Sequence, residues 1–278
     1  MSPSPQVSDA SIKWSAALIG DLHFGSIYAP MQPFTTFDNR TILPSPEQQE
    51  LNLIFSWCLD RIRYWKVHNI LFSGDLIQGK NFKDMARSLV TADLDEQQEL
   101  AIRYLRPICK DMTIYGVSGT GYHQSVDTEI EKKIIEELGG QFLTKMAWLK
   151  VPNSKRVINL SHAGATATIY PYSAMEREAA QMLKACGEGK LPYSPDIIIR
   201  GHRHLFAHLH TTSYHFILVP SFQLWYPFKT SYYGSLQSDI GIAIVFIDQH
   251  DRIIVHHYTK PTPNLHVGDK VYELSKRL

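Results

Sequence analysis

The chain has 278 residues, 44% of them hydrophobic and 20% charged, so a substantial core is expected and a disorder-dominated chain is excluded. Lys and Arg number 28 against 27 Asp and Glu, a net charge of +1, which excludes a global positive field for nucleic acid or acidic lipid and leaves only local binding. Cys58, Cys109 and Cys186 are odd in number, far apart and set among apolar residues, the pattern of three reduced, buried thiols in a cytoplasmic protein.

Residues 1–10 read as a flexible Ser/Pro tail without a basic region and apolar run, and 11–278 as a single domain. No apolar stretch approaches membrane-spanning length, so no membrane partner is expected. Residues 15–19 predict a buried strand that gives way at Gly20 to Asp21-Leu22-His23. Residues 24–44 read as a long ordered loop. Ser45-Pro46-Glu47-Gln48 is a capping-box helix start with Pro at the first helical position, and the helix is expected to reach about Lys66.

Residues 69–73 form a second buried strand ending in Gly74-Asp75, and after a loop at 79–83 the spacing over 91–110 predicts a helix. A third strand, 113–117, opens into Ser118-Gly119-Thr120-Gly121-Tyr122-His123. A helix over 126–138 stops at Gly139-Gly140. The texture then turns richer in strand: 148–151, 157–160 ending in Ser161-His162, a helix over 174–186, and 197–200 running into Gly201-His202-Arg203-His204. Strands at 214–219, 242–247 and 253–257 read as hairpins. The pattern predicts an α/β fold of two mixed sheets packed together between helices, a four-layer α/β/β/α sandwich.

Five predicted strands therefore end in Asp or His, where ligands of α/β sheets gather. Each element alone has an ordinary reading: Gly-Asp after a strand is a turn, and a single His is unremarkable. Gly-His-x-His is stronger, because imidazoles two apart on an extended segment point to one side. Converging carboxylates and imidazoles are costly to bury unless cations offset the cost, and mixed nitrogen and oxygen ligands suit Mn²⁺, Fe, Zn²⁺ or Ni²⁺ better than Ca²⁺ or Mg²⁺.

The ordered set Asp21 with His23, Asp75, the 120–123 turn, His162, and His202 with His204 resembles the calcineurin-like metallophosphoesterase superfamily over about residues 19–204. That resemblance implies a hydrolase with two divalent ions, Mn²⁺ first among the candidates, in which a bridging hydroxide attacks a phosphate ester. Carried over by position, Asp21, His23 and His204 hold one ion, Asp75 bridges, and His162 and His202 hold the other. The third block departs from the family: its Asn ligand is missing, and Gly-Thr-x-x-His looks like the variant of phage and prophage members, which points to a bacterial or phage-infected cell. By that likeness His123 is the substrate-side proton donor, and Thr120 contacts the substrate, supplies a weaker oxygen ligand or holds a metal-bound water.

Around this set, Arg203 reads either as a phosphate contact or as an ordinary solvated Arg. Residues 222–233, with Trp225, Tyr226, Phe228 and Lys229, read as a cleft wall that stacks on bases or as a core or dimer contact. Arg61, Arg63, Lys66, Lys80, Lys83 and Arg87 read as a solvated face. His208, His210, His215, His256 and His257 read as structural or surface, and Trp14, Trp57, Trp65 and Trp148 as core. The expected substrate is a phosphodiester in DNA, RNA or a nucleotide. The rivals are a phosphomonoesterase, including protein phosphatase activity, and a non-catalytic scaffold of the same fold.

Overall fold

The computed structural model describes residues 12–80, 86–123, 129–164, 171–224 and 238–261. In chain order its elements are β1 (Ile12–Ile19), β2 (Phe34–Thr35), β3 (Thr41–Ile42), α1 (Pro46–Tyr64), β4 (Asn69–Phe72), α2 (Leu94–Cys109), β5 (Thr113–Gly116), α3 (Ile130–Glu137), β6 (Gln141–Phe142), β7 (Met146–Lys150), β8 (Val157–Ser161), α4 (Pro171–Gly187), β9 (Ile197–Arg200), β10 (Ala207–His210), β11 (His215–Leu218), β12 (Asp239–Asp248) and β13 (Ile253–Pro261).

Among the described residues the first sheet has the order β13-β12-β1-β4-β5-β6 and the second β10-β11-β9-β8-β7. Both are mixed: β1, β4 and β5 run parallel, as do β8, β9 and β11, with antiparallel strands at one or both edges. The alternation along each strand then explains the layers. Ala17, Ile19, Ile70, Phe72, Ile242 and Ile244 face α1, α2 and α3. Ala16, Leu18, Leu71, Ala243 and Val245 face the second sheet, meeting Ile158, Leu160, Ile197 and Ile199. Ile198, Phe216 and Leu218 face α4 through Met175, Ala179 and Met182. The result is the four-layer sandwich, and strands covered on both faces read as unbroken apolar runs.

The capping box at Ser45 forms in both directions, and α1 ends two residues short of expectation because Lys66 turns left-handed (φ 49°). Asp93 caps α2 by accepting from the backbone N–H of Asp95 and Glu96, which sets its start three residues later than the spacing indicates. The Gly139 stop holds, with Gly140 N donating to Ile135 O. Helix α4 begins three residues before the predicted start. The hairpin β2–β3 sits inside the loop of 24–44, and β6 and β10 complete the sheet edges. Trp14, Trp57, Trp65 and Trp148 all pack against the cores. Cys58 and Cys109 are buried free thiols; Cys186 corrects the expectation, because it lies partly exposed at the end of α4, its thiol donating to Tyr193 O. Among the described residues no helix is long and apolar enough to cross a membrane.

Ile199 is fully buried between the sheets. Ile199→Ala should destabilise the protein by about 2–5 kcal/mol in urea unfolding, whereas Leu53→Ala on the exposed side of α1 should stay within about 0.5 kcal/mol; equal effects would contradict the layer assignment.

Candidate metal centre

Five strand ends meet at one rim. β1, β4 and β5 of the first sheet and β8 and β9 of the second carry, just past their carboxyl ends, Asp21 with His23, Asp75, Thr120 with His123, His162, and His202 with His204. The β1 and β4 extensions remain zipped together, with Asp21 N donating to Gly74 O and His23 N to Asp75 O, both at 3.0 Å. Asp21, His23, Asp75, His202 and His204 take φ of 50°, 49°, 51°, 69° and 57°. Left-handed backbone costs a residue with a Cβ about 1–2 kcal/mol. Asp and His are among the side chains found there most often.

The side chains form three linked groups, each able to offer ligand atoms within 4.8 Å of one another: Asp21, His23 and His204; His23, Asp75 and His123; and Asp75, His162 and His202. His23 belongs to the first two groups and Asp75 to the last two. Within them His204 Nε2 lies 3.1 Å from Asp21 Oδ1 and 3.2 Å from His23 Nε2. His162 Nε2 lies 3.0 Å and His123 Nε2 3.9 Å from Asp75 Oδ2. The His202 ring stands edge-on to His162 at 5.2 Å, and its backbone N–H donates to both Asp21 oxygens at 3.2 and 3.0 Å.

The tautomers are fixed by neighbours that can only accept. His162 Nδ1 lies 2.8 Å from Ser73 O and His123 Nδ1 2.7 Å from Gln78 O, so each Nδ1 carries the proton and donates it. In the neutral ring each Nε2 is then a lone pair aimed toward the same carboxylate. The His162 Nε2 is buried and has no hydrogen-bond partner, as has the His23 Nδ1. Lone pairs of imidazole and carboxylate held face to face repel unless a proton or a cation lies between them, and the donor set of imidazole nitrogens and carboxylate oxygens fits divalent transition ions.

The electrostatics agree. Burial alone would raise the Asp75 carboxyl, yet His162 and the neighbouring imidazoles hold it well below the usual carboxylate range. Burial likewise opposes ionisation of Asp21, and His204 and His162 outweigh it. Burial would lower His162, but Asp75 and Asp21 push it up to about 10. His23, buried beside His123 and His204, falls to about 3.

Thr120, expected at the substrate or a metal, sits on Asp75: its N–H donates to Oδ1 at 2.7 Å, with its hydroxyl 3.2 and 3.3 Å from the two oxygens. Gly119 makes this approach possible, since a Cβ there would stand 2.0 Å from Asp75 Oδ1. Arg203 is half-buried in the turn between His202 and His204 and belongs to none of the three groups. Trp225 and the aromatic segment after it lie outside the described residues, as do Lys83 and residues 124–128.

Two supporting residues escaped the sequence reading. Glu131 on α3 is buried and accepts from Leu76 N (2.7 Å) and Gly119 N (2.6 Å), joining the Asp75 and Thr120 turns. Burial and the nearby Asp75 push its carboxyl up to about 7. Arg200, fully buried ahead of Gly201, pairs with Glu178 on α4 (2.7 Å) and Asn159 Oδ1 on β8 (2.7 Å), anchoring the root of the last turn. The sequence signal for both is weak: a Glu on a helix and an Arg at a strand end usually face water.

Removing the Glu131 clamp should weaken the centre through its support. Glu131→Ala is expected to lower Mn²⁺ affinity by about 10–100-fold in calorimetric titration while far-UV circular dichroism stays native; unchanged affinity would deny it a positioning role.

No protein-family model and no curated protein matches the chain. Among solved structures it is similar to an archaeal phosphodiesterase at 12% identity, covering 88% of this chain and 99% of that one with a TM-score of 0.42. It is similar to Vps29 of Entamoeba histolytica complexed with zinc at 14% identity, covering 88% and 98% with a TM-score of 0.38. A predicted phosphoesterase of Streptococcus pneumoniae follows at 10% identity, 89% and 98% coverage and a TM-score of 0.37.

Proposed function

We propose that the chain is a metal-dependent phosphoesterase whose substrate is a phosphodiester, in nucleic acid or in a nucleotide. The observation that carries this reading is the convergence of Asp21, His23, Asp75, His123, His162, His202 and His204 into three overlapping groups, with His162 and His123 fixed by backbone acceptors so that their Nε2 atoms face Asp75. Asp21, His23 and His204 are placed to hold one ion, Asp75 to be shared, and His162 and His202 to hold a second. Bound there, such ions supply Lewis acidity toward a phosphoryl oxygen and an ionised water at neutral pH.

The chain's own residues do the rest. Thr120 orients the shared carboxylate and leaves it acceptor-rich toward the site. His123 keeps its Nδ1 proton on Gln78 O, so any proton it gives to the leaving oxygen is carried at Nε2, on the side facing His23 and Asp75. Arg203, between two ligand positions, is the residue to meet a non-reacting phosphate oxygen. The choice of a diester rests on the likeness of the Gly-Thr-x-x-His turn to phage-type phosphoesterases and on the aromatic segment containing Trp225, which would stack on bases. The free thiols fit a reducing, cytoplasmic compartment.

With Mn²⁺ supplied, turnover of bis-p-nitrophenyl phosphate is expected to exceed that of p-nitrophenyl phosphate. A large preference for the monoester would move the assignment to a phosphomonoesterase, and no hydrolysis of either with less than one bound ion per chain would favour a scaffold.

Asp75→Asn should lower turnover more than about a hundredfold, beyond the loss typical of an outer-shell partner. His123→Ala should lower it by about 10²–10⁴-fold with metal content unchanged by elemental analysis; loss of an ion from that variant would make His123 a ligand instead.

A further inference from the structure

His208 and His210 stand two residues apart on β10, and the register pairs His210 with His215 on β11. Their neighbours Ala207 and Leu209 pack toward α4, so the histidines share the opposite face of this strand pair, which turns toward the first sheet. His208 Nε2 lies 3.0 Å from His215 Nδ1. The His210 ring stacks on His215 with centroids 4.1 Å apart and planes at 27°. His215 is level with Ile197 at the start of β9, whereas the centre described above follows the end of that strand. The cluster therefore lies toward the far end of the second sheet.

Three imidazoles in contact are an unusual way to fill this edge. Among the described residues the side-chain partner of His208 and of His215 is the other ring, and the charged groups that act on the pair are the neighbouring imidazoles and Arg156 rather than any carboxylate. Burial first and the adjacent rings second push His208 down to about 4 and His215 to about 3, which leaves both neutral, one ring donating and the other accepting in their 3.0 Å contact. A cavity of about 340 Å³ opens beside His210 and His215, lined also by Tyr214, Ser213, Arg156 and Asp196. It is a poor anion pocket, because Arg156 is engaged by Asp196 and Arg252 by Asp248, each at 2.6 Å.

We propose that His208, His210 and His215 form a mononuclear site for zinc, separate from the centre at the strand ends. A His-x-His pair on one strand with a third imidazole from its neighbour supplies the three nitrogen ligands of a tetrahedral zinc site and leaves the fourth position to water. Zinc would replace the proton shared by His208 Nε2 and His215 Nδ1, the donor ring keeping its N–H on the outer nitrogen instead; the His208 and His210 rings are 6.3 Å apart, so closing the site also requires the exposed His210 side chain to turn off its stack, a rotamer change open to a surface residue.

The site is tested by counting zinc on the full chain after chelation and dialysis against Zn²⁺. The His208→Gln/His210→Gln double variant is expected to hold one ion fewer than the unsubstituted chain, with turnover at the other centre unchanged. Because the count is a difference between chains that share that other centre, it does not depend on what the latter binds. His210→Gln alone, at an exposed position, guards against misfolding and should weaken this zinc by at least about tenfold, the lower end of what losing even an outer-shell partner costs. Equal zinc counts in the double variant and the unsubstituted chain, or unchanged zinc affinity in His210→Gln, would overturn the proposal.

Discussion

Two carboxylates and a cluster of imidazoles are removed from water at the rim of this sandwich, and that electrostatic constraint organises much of what surrounds them. Burying one unpaired ion costs several kcal/mol even after relaxation, and breaking a buried pair leaves its partner uncompensated. Asp21 and Asp75 are tolerated because each is contacted by imidazole and by backbone N–H, from His202 in one case and Thr120 in the other. Those donors come from different sheets, so the charge balance requires both sheets to hold their ends in fixed relation. The apolar layer between them, with Leu18 and Leu71 against Leu160 and Ile199, supplies that rigidity. Packing and charge are in this sense one design: the dry core aligns the strand ends, and the strand ends neutralise one another.

A second ring of residues keeps the turns from relaxing. Glu131 reaches from α3 to two turns at once, and Arg200 ties β9 to β8 and α4 just before the Gly-His-x-His segment departs. Gly201 lies within about 3 Å of His162, Asp21 and Ser73 atoms when a Cβ is imagined there, so the turn has no room for a larger residue. The orientation of the rim carboxylates and imidazoles thus depends on helices and glycines that contribute none of them.

The parts legible in the sequence were those with one dominant physical cause. Strands covered on both faces, such as β1, β4 and β9, announce themselves as apolar runs, and their polar ends stand out because a rim is the place where Asp and His can gather. Short edge strands did not: β6 has two residues, and β10 reads Ala-His-Leu-His, where alternate histidines break the apolar run. Glu131 was invisible because helical spacing places a charged residue on the wet side by default, and only the approach of two turns makes it an acceptor for both. Thr120 was identified as important through the missing Asn, but its partner, Asp75, follows from how the turns nest and not from their order along the chain.

The left-handed backbone at Asp21, His23, Asp75, His202 and His204 has a further bearing on how this rim tolerates change. Each of these residues is selected twice, once for its donor atom and once for its ease with a conformation most side chains resist. A conventional alanine scan therefore mixes two losses at every one of these positions, the donor and the compatibility with the local torsion angles. Asparagine keeps the backbone preference while altering the donor, and glycine keeps it while deleting the side chain. Natural drift among relatives should accordingly run through Asp, Asn, His and Gly, and β-branched residues should be missing from these five positions.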